Sequence, residues 1–381
     1  MITSGLKNSE FPVPQGKDYA EGEVDGIRVI SIAAAYNDPE EGTGMNGLQR
    51  MLKFYQFARL ARRVGKTLGR PDVVFATHTP LTIGLAGMKL ARHFNVPFVF
   101  EVRDLWPEAL VNVGALKNTL VIWWLRRMAE KIYAAADHIV ALSPGMKTGI
   151  IRAGVPAQRI SMIPNSSDLD LFHPDVDGSS ARQRLGLGER FAAIYFGAMG
   201  FANGLEYVIE AARILKERGK DNIVIVLCGS GGRRAGLEGT ARDYQLKNVV
   251  FDGPVTKNEV TQIVAGCDVC LTIFRAAAEQ TWSPNKMFDA FAAGKPVLVN
   301  VSGWLRELVE QNDCGIYLDP SCPEALAEAL AELATDPVRC RQMGRNARDL
   351  AEREFSREKL AAVLEKVLLR AVEDSSAKNI G

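Results

Sequence analysis

A lysine and an aspartate three residues apart have the chemistry to bind a phosphate and a sugar together. Lys286 is predicted to lie in the first turn of a short helix. A positive charge there lies at the positive end of the helix dipole, which is unfavourable by roughly 0.3–1 kcal/mol. An anion bound to the N–H groups of that helix end would remove the penalty. Asp289 follows on the same helix face, and its carboxylate can accept hydrogen bonds from sugar hydroxyls. A phosphate-plus-sugar ligand is one interpretation, and an ordinary surface pair of Lys286 and Asp289 is the other.

The helix that must position these two residues is marked by its end signals. Ser283 is suited to the N-cap and Pro284 to the first helical position. Gly294 supplies a left-handed residue that ends the helix, and Pro296 prevents its continuation. The apolar run 297–299 then predicts a buried strand directly after the helix.

A glycine-containing turn after another predicted strand is a second candidate for anion binding. Gly197 and Gly200 lie between that strand and a helix that begins near Asn203, and glycines let backbone N–H groups approach an anion closely. The turn does not complete a GxGxxG pattern, which disfavours an NAD-dependent oxidoreductase. Arg233 and Arg234, after the next strand, are candidates for additional positive charge.

Polar residues also follow two strands predicted nearer the start of the chain. His78 follows one strand, and Arg103, Asp104 and Trp106 follow the next. Ligands of parallel sheets bind beyond the carboxyl ends of the strands, and an aromatic face beside polar groups is typical of a sugar site. Alternatively, Arg103 pairs with Asp104, and Trp106 belongs to the core.

Strands and helices alternate along nearly the whole chain, which predicts an α/β protein with parallel sheets covered on both faces. With 381 residues the chain is long enough for two domains. We expect an N-terminal domain over 1–174, with a helix at 355–372 packing back onto it. We also expect a linker at 175–190, a C-terminal domain at 191–354 and a disordered tail at 373–381.

One predicted helix has the composition of a membrane-surface helix. Residues 114–133 combine an apolar block that contains Trp123 and Trp124 with basic residues such as Arg126 and Arg127. Such a helix can lie on an anionic bilayer, although a buried helix with one basic edge has a similar composition.

Composition excludes several classes of protein. A net charge of +1 gives no general case for nucleic-acid binding. No apolar run reaches the roughly 18 residues that a spanning helix needs. Cys267 and Cys270 have CxxC spacing without a second pair or a nearby histidine, so we interpret them as buried thiols and expect no metal site. Six cysteines without a disulfide pattern favour a reducing cytosol.

Several ordered motifs resemble those of the family 4 glycosyltransferases. The resemblance covers nearly the whole chain. The segments that carry it are IPNSSDLDLFHP at 163–174, NVVFDGPV at 248–255 and KMFDAFAAGKPVL at 286–298. FEVRDLWPE at 100–108 together with SPNK at 283–286 looks like the branch of N-acetylfucosamine-type transferases of O-antigen and capsule assembly.

The resemblance implies a GT-B fold, in which two doubly wound Rossmann-like domains face a cleft. It further implies transfer with retention of configuration and without a metal or other cofactor. The donor would be a nucleotide sugar held by the C-terminal domain, and the acceptor would bind the N-terminal domain. The implied catalytic residues are Asp104 and Lys286. The implied donor-binding residues are Gly197, Gly200, Asn203, Arg233, Thr281, Ser283, Asn285 and Asp289. The implied acceptor or sugar residues are His78, Arg103 and Trp106.

The chain departs from the family pattern at three places. Asp289 corresponds to the second acid of the E-x7-E motif, whereas Thr281 occupies the position of the first. The Arg and Lys expected after the glycine turn are absent from the segment 200–204. The strand, Gly-rich loop and helix that open the family have no counterpart before Met1-Ile-Thr-Ser-Gly5. We therefore expect a truncated reading frame and low stability of the 381-residue chain.

The favoured interpretation is a transferase at the cytoplasmic face of the plasma membrane. It would move an amino-deoxyhexose from a UDP-sugar to a polyprenyl-diphosphate-linked saccharide. A UDP-sugar 2-epimerase shares the fold but lacks a suitably placed set of His and acids here. A non-catalytic sugar-nucleotide-binding partner subunit remains a third interpretation because of Thr281 and the missing opening segment.

Overall fold

The structure, a computed structural model, describes residues 1–5, 11–34, 47–112, 114, 116–275 and 281–380. It divides into two compact units. As far as they are described, the first unit contains residues 1–111, 116–163 and those from 364 on, and the second contains 112–115 and 164–363.

The first unit is built on two β-sheets. Its strands are β1 (Ile2–Ser4), β2 (Tyr19–Val24), β3 (Ile27–Ile32), β4 (Val74–Thr77), β5 (Phe98–Val102), β6 (His138–Ala141) and β7 (Ile160–Met162). In the smaller sheet β3 lies between β1, to which it is parallel, and β2, to which it is antiparallel. In the larger sheet four parallel strands follow one another in the order β4-β5-β6-β7.

The helices of this unit cover the strands because their apolar residues recur on one face. They are α1 (Gly47–Gly65), α2 (Thr82–Phe94), α3 (Glu108–Asn112), α4 (Thr119–Ala135) and α5 (Pro144–Arg152). Phe98 and Phe100 of β5 are fully buried, as is Ile132 of α4. Gly87 lets α2 approach the sheet closely, since a Cβ there would lie 2.8 Å from the Cβ of Ala76. The core therefore sits between the larger sheet and this helical layer.

The second unit contains one parallel sheet with helices between its strands. The strands are β8 (Phe191–Phe196), β9 (Ile223–Cys228), β10 (Val249–Asp252), β11 (Val269–Thr272), β12 (Val297–Val299) and β13 (Gly315–Tyr317). The helices are α6 (Ser179–Arg184), α7 (Glu206–Glu217), α8 (Arg234–Asp243), α9 (Lys257–Ala265), α10 (Asn285–Ala292), α11 (Trp304–Gln311), α12 (Pro323–Thr335) and α13 (Pro337–Leu350). A last helix, α14 (Arg357–Ile380), leads from this unit into the first.

The strand order of this sheet reverses at its centre. Within the described residues the order is β10-β9-β8-β11-β12-β13, so the chain moves outward in one direction from β8 and in the other from β11. In doubly wound sheets a crevice forms at such a reversal, beyond the carboxyl ends of the strands, and ligands bind there. Gly197 follows β8 at this point. The prediction of a doubly wound α/β architecture is confirmed.

The helix that carries Lys286 begins later than the sequence predicts. Pro284 is the N-cap of α10, so the prediction that Ser283 caps the helix is wrong. The Ser283 hydroxyl instead accepts a hydrogen bond from the N–H of Asn165 at 3.2 Å, and the Asn165 side chain donates to the Ser283 carbonyl. The end of the helix is as predicted, because Gly294 has a left-handed φ of 64°.

The predicted linker at 175–190 is wrong, because this segment is packed into the second unit. It contains α6, whose Ala181 is buried, and Leu187, which is fully buried. Arg182 donates to the carbonyls of Gly188 at 2.9 Å and Gly266 at 2.7 Å. Two apolar anchors and a guanidinium that satisfies backbone carbonyls fix the segment in place.

The tail at 373–381, for which we predict disorder, is helical in the structure as far as residue 380. These residues continue α14, while residue 381 lies outside the described residues. Ala371 is buried just before this segment, and the Ser376 hydroxyl bonds back to the Val372 carbonyl at 2.9 Å. From residue 364 on, the helix belongs to the first unit.

Replacing Gly294 by alanine should lower the free energy of unfolding by about 1–2 kcal/mol. The left-handed φ of 64° is unfavourable for a side chain, and the new Cβ would lie 3.1 Å from Cγ of Pro174. Urea denaturation measures the loss. Gly239→Ala in α8 is the matched control: its Cβ would meet nothing within 4 Å, so its stability should stay equal or rise. Equal losses in both variants would contradict the argument.

Candidate functional site

The turn after β8 is held by backbone contacts with the loop after β9. Gly197 donates its N–H to the Cys228 carbonyl at 3.0 Å, and Met199 donates to the Ser230 carbonyl at 2.7 Å. A Cβ on Gly229 would lie 2.0 Å from the Gly197 carbonyl oxygen, so only glycine allows this approach. The two loops therefore form one surface at the carboxyl ends of neighbouring strands.

This packing changes the role predicted for the glycines. We expected their N–H groups to face an anion, but the Gly197 N–H is used by Cys228, and the Gly200 N–H donates to Oδ1 of Asn203 at 3.1 Å. The prediction is wrong for Gly197 and Gly200, because tying the loops together takes up their donors. The Asn203 side chain likewise closes its own turn. Positive charge for an anion here must come largely from side chains.

Lys286 provides such a charge. A Cβ built on Gly197 would lie 3.3 Å from Nζ of Lys286, so α10 and the glycine turn meet here as the sequence suggests. The ammonium group lies 3.7 Å from the ring centroid of Tyr195 and 5.9 Å from that of Phe274. Burial lowers the pKa of Lys286 to about 7. Within the described part of the chain, no carboxylate forms an ion pair with it.

Two arginines that were candidates for the same charge are engaged elsewhere. Arg233 forms an ion pair with Glu206, and both side chains are half-exposed. Arg234 donates Nη1 to the carbonyl of Gly229 at 2.6 Å, with a second bond to that of Asp252. Arg234 therefore fixes the loop after β9, and the charge of Arg233 is largely offset by Glu206.

Arg275 is a cation at this turn that sequence reasoning missed. Its guanidinium carbon lies 3.6 Å from the ring centroid of Phe201, and Nε donates to the Phe201 carbonyl at 3.1 Å. Its backbone N–H bonds to the Ala202 carbonyl at 2.9 Å, and a Cβ on Gly204 would lie 2.9 Å from its Cα. It belongs to no motif and lies 71 residues beyond Gly204, so its position could not be inferred from local spacing.

A cavity of about 460 Å³ opens beside the glycine turn in the second unit. It is lined by Phe196, Gly197, Ala198, Cys228, Gly229, Ser230, Pro254, Val255, Thr256, Lys257 and Val260. These residues come from the carboxyl ends of β8, β9 and β10 and from the start of α9. Its size and its mixture of apolar walls with a few polar groups are typical of a small-molecule site.

Asp289 lies in a charged cluster of the second unit. Asp168 pairs with Arg357 at 2.9 Å and with Lys257 at 3.9 Å. Burial raises the pKa of Asp289 to about 7, and the negative charge of Asp168 adds to this, while Lys257 and Arg357 oppose it. Asp168 lies within a quoted motif, but only the structure brings it near Asp289. A ligand hydroxyl that donates to Asp289 would stabilise its charged form.

The other residues predicted on the donor side differ in exposure. Thr281, at the position of the missing acid, is buried, whereas Asn285 in the first turn of α10 is exposed. Only Asn285 of these two therefore offers its side chain to solvent.

In the first unit, His78 is buried beside Trp106. Their ring centroids are 5.4 Å apart in an edge-on arrangement, and the Phe100 ring centroid lies 6.2 Å from that of His78. Burial, with a smaller effect of Arg103, lowers the pKa of His78 to about 3, so the ring is neutral. Among the described residues neither ring nitrogen has a hydrogen-bond partner. Such a buried, unsatisfied group is costly unless a ligand or water completes it.

The two charged residues after β5 are not simply paired with each other. Arg103 forms an ion pair with Glu101 at 3.7 Å. Burial raises the pKa of Asp104 to about 6, although Arg103 opposes the shift. The structure thus brings His78, Asp104 and Trp106 to the carboxyl ends of neighbouring strands β4 and β5, as the sequence predicts. A carboxyl that titrates near neutrality is suited to proton transfer.

Helix α4 exposes the aromatic residues that suggested membrane contact. Leu120, Trp123 and Trp124 are 77%, 60% and 50% exposed. Arg126 pairs with Glu108 at 2.8 Å, and Arg127 lies 5.9 Å from the Trp123 ring. The opposite face of the helix is buried in the core of the first unit. No helix among the described residues combines the length and apolar character needed to cross a bilayer.

The CxxC pair is buried, as expected of core thiols. Burial raises the pKa of both Cys267 and Cys270, the latter to about 12. Thiols that stay protonated at neutral pH are poor nucleophiles and poor metal ligands.

Family models match both halves of the chain. Residues 10–166 match the glycosyl transferase 4-like domain, and residues 179–350 match the glycosyl transferases group 1. Among curated relatives, the D-inositol 3-phosphate glycosyltransferase of Xylanimonas cellulosilytica is 28% identical over 371 residues, which cover 93% of this chain and 84% of the relative. The putative colanic acid biosynthesis glycosyl transferase WcaI of Escherichia coli is 26% identical, over 76% of this chain and 72% of WcaI.

Solved structures share the fold. Sucrose-phosphate synthase of Thermosynechococcus elongatus superposes with a TM-score of 0.76 at 20% identity, covering 97% of this chain and 88% of that one. Anabaena HepE in complex with UDP and glucose gives a TM-score of 0.68 at 22% identity, covering 81% of each chain.

The positive charge of Lys286 should make anion binding at the glycine turn depend on pH. With a pKa of about 7, Lys286 is mostly protonated at pH 6 and mostly neutral at pH 9. A bound anion favours the protonated form, so affinity is highest below pH 7 and falls as the pH rises. We expect the affinity for inorganic pyrophosphate, relative to that of Lys286→Arg, to fall about tenfold from pH 6 to pH 9.

Isothermal titration calorimetry of the two proteins measures this difference. Pyrophosphate and Asp289 also titrate in this range, but they do so in both proteins and cancel in the ratio. Parallel pH profiles would show that Lys286 does not contact the anion.

Proposed function

We propose that the chain is a family 4 glycosyltransferase of the GT-B type, since its two halves match glycosyltransferase family models. We propose that it transfers an amino-deoxyhexose from a UDP-sugar to a polyprenyl-diphosphate-linked saccharide. We propose further that the anomeric configuration is retained and that no metal ion takes part. The observation that carries the proposal is the Lys286 ammonium, buried against Tyr195 beside the glycine turn with no described carboxylate paired to it.

The proposed reaction is stabilised mainly by electrostatics. The acceptor hydroxyl oxygen bonds to the anomeric carbon as the bond from that carbon to the diphosphate oxygen breaks, and the electron pair leaves with UDP. Lys286 and the N-terminus of α10 stabilise the negative charge that develops on the diphosphate. The hydroxyl proton passes to the leaving phosphate oxygen. In the first unit, burial raises the pKa of Asp104 to about 6, which suits either a base or a ligand of a sugar hydroxyl.

The nucleotide is assigned to the second unit. The cavity of about 460 Å³ beside Gly197 has room for a nucleoside, and Asp289 is proposed to accept hydrogen bonds from the ribose. HepE, which shares the fold, is described in complex with UDP, and this supports UDP as the first nucleotide to test.

The acceptor is assigned to the first unit and to a membrane surface. His78, Arg103 and Trp106 are proposed to hold the acceptor saccharide, with Trp106 against a sugar ring. The exposed Trp123 and Trp124 support contact of α4 with a bilayer. The relative WcaI, named for colanic acid biosynthesis, supports a role in cell-surface polysaccharides. We propose a peripheral location at the cytoplasmic face of the plasma membrane.

A panel of UDP-sugars, incubated with and without a polyprenyl-diphosphate-linked acceptor, tests the proposal. UDP release that requires the acceptor, with a glycosylated lipid as product, is the expected result. An isomerised sugar without transfer would indicate the alternative 2-epimerase. Tight UDP-sugar binding without turnover in either arm would indicate the alternative sugar-nucleotide-binding subunit.

Lys286→Ala should weaken binding of the UDP-sugar by at least about 1.5 kcal/mol, because a hydrogen bond to a charged group is lost. Equilibrium dialysis measures the dissociation constant. Lys247→Ala is the control, since Lys247 is an exposed lysine of the same unit. If Lys286→Ala binds as tightly as Lys247→Ala, Lys286 has no contact with the diphosphate.

A further inference from the structure

Helix α1 carries an unusual distribution of charge. Its 19 residues include Arg50, Lys53, Arg59, Arg62 and Arg63, and Lys66 follows directly. The helix contains no aspartate or glutamate. The whole chain has a net charge of only +1, so this concentration of positive charge is local.

One face of α1 is buried and the opposite face exposes large apolar side chains. Phe57, Ala58, Ala61 and Val64 are buried, most of them packed with β3 and its neighbours. On the other face Met51, Leu52 and Tyr55 are 47%, 60% and 63% exposed. Tyr55 lies four residues after Met51 and three after Leu52, so its side chain adjoins both near the start of the helix.

The exposed face is divided along the helix axis. Met51, Leu52 and Tyr55 occupy its first half, whereas Arg59 and Lys66 continue the same side toward the end, one and three turns beyond Tyr55. An apolar patch that adjoins a basic one is typical of helices that insert side chains between lipids while their cations meet anionic head groups. A helix that bound only nucleic acid or an acidic protein would not need the exposed apolar half.

The apolar half of α1 lies next to the candidate acceptor site of the same unit. The Phe54 ring is 6.3 Å from the Trp106 ring, and Trp106 in turn packs against His78. The Thr82 hydroxyl donates to the Phe54 carbonyl at 3.1 Å, which fixes α1 against α2. A lipid contact at Met51, Leu52 and Tyr55 would therefore place the Trp106 site close to the bilayer surface.

We propose that the exposed face of α1 docks on an anionic lipid bilayer and brings a lipid-linked acceptor to the site at Trp106 and His78. The proposal deepens the proposed function, because it states which helix meets the membrane where the acceptor enters. Met51, Leu52 and Tyr55 enter the interface, and Arg59, Arg62 and Lys66 contact the anionic head groups.

Co-sedimentation of the full chain with lipid vesicles tests the proposal. Wild type should bind vesicles of phosphatidylglycerol mixed with phosphatidylcholine, and bind pure phosphatidylcholine far more weakly. Arg59→Glu with Lys66→Glu should reduce the partition coefficient on the anionic vesicles at least about tenfold. Leu52→Glu should reduce it on both kinds of vesicle, because the loss is in apolar insertion.

Matched changes on the second unit provide the controls. Arg242→Glu with Arg341→Glu alters the net charge equally at exposed positions, and Val338→Glu replaces a side chain that is 66% exposed. Both should bind vesicles like wild type. Melting curves followed by circular dichroism verify that all variants remain folded, and UDP-sugar binding should be unchanged in all of them.

Three results would overturn the proposal. In the first, wild type does not bind anionic vesicles. In the second, the α1 variants bind the vesicles as well as the controls do. In the third, wild type binds duplex DNA or an acidic protein more tightly than the vesicles. If the α1 variants bind normally while Trp123→Ser with Trp124→Ser does not, α4 alone meets the membrane. The transferase proposal would stand in that case, since its own test is UDP release with the lipid acceptor.

Discussion

The candidate site of the second unit is built around the Lys286 ammonium group, which is buried without a paired carboxylate among the described residues. Moving a charge from water into an apolar site is costly, and the protein offsets part of that cost with the face of Tyr195, 3.7 Å from Nζ of Lys286. The part of the desolvation cost that is not offset lowers the pKa of Lys286 to about 7. When an anion binds next to such a buried cation, the complex is more stable than the empty site. A salt bridge within the protein offers no such gain, because its cation is already paired.

The glycine turn explains why this charge is a side chain. In many phosphate sites backbone N–H groups supply most of the attraction. Here the N–H groups of Gly197 and Gly200 are used to join the loops after β8 and β9 and to close the turn. Arg234 is occupied by backbone carbonyls and Arg233 by Glu206. Lys286, with Arg275 stacked on Phe201 at the far end of the turn, is left to provide positive charge.

The sequence predicts those structural features that depend on residues close together along the chain. Alternating apolar runs predicted the parallel sheets, and Gly294 with Pro296 predicted the end of α10. The predictions were wrong where a residue distant in the sequence bonds to a group that we expected to act within its own segment. Asn165, 118 residues away, takes the hydroxyl that we expected at the N-cap of α10. The linker failed for a similar reason, because Arg182 reaches a carbonyl 84 residues away and fixes a polar segment that looks mobile.

In both units, burial shifts the pKa values of acidic and basic side chains toward their neutral forms. Burial raises the pKa of Asp104 to about 6 and that of Asp289 to about 7, and it lowers those of Lys286 to about 7 and His78 to about 3. Desolvation is the largest cause in all four cases, so no partner among the described residues fully balances any of these groups. A buried ionisable group without a full partner lowers the stability of a fold. Four incompletely satisfied groups at the carboxyl ends of strands or beside them fit the ligands that we propose, a phosphate at Lys286 and hydroxyls at the others.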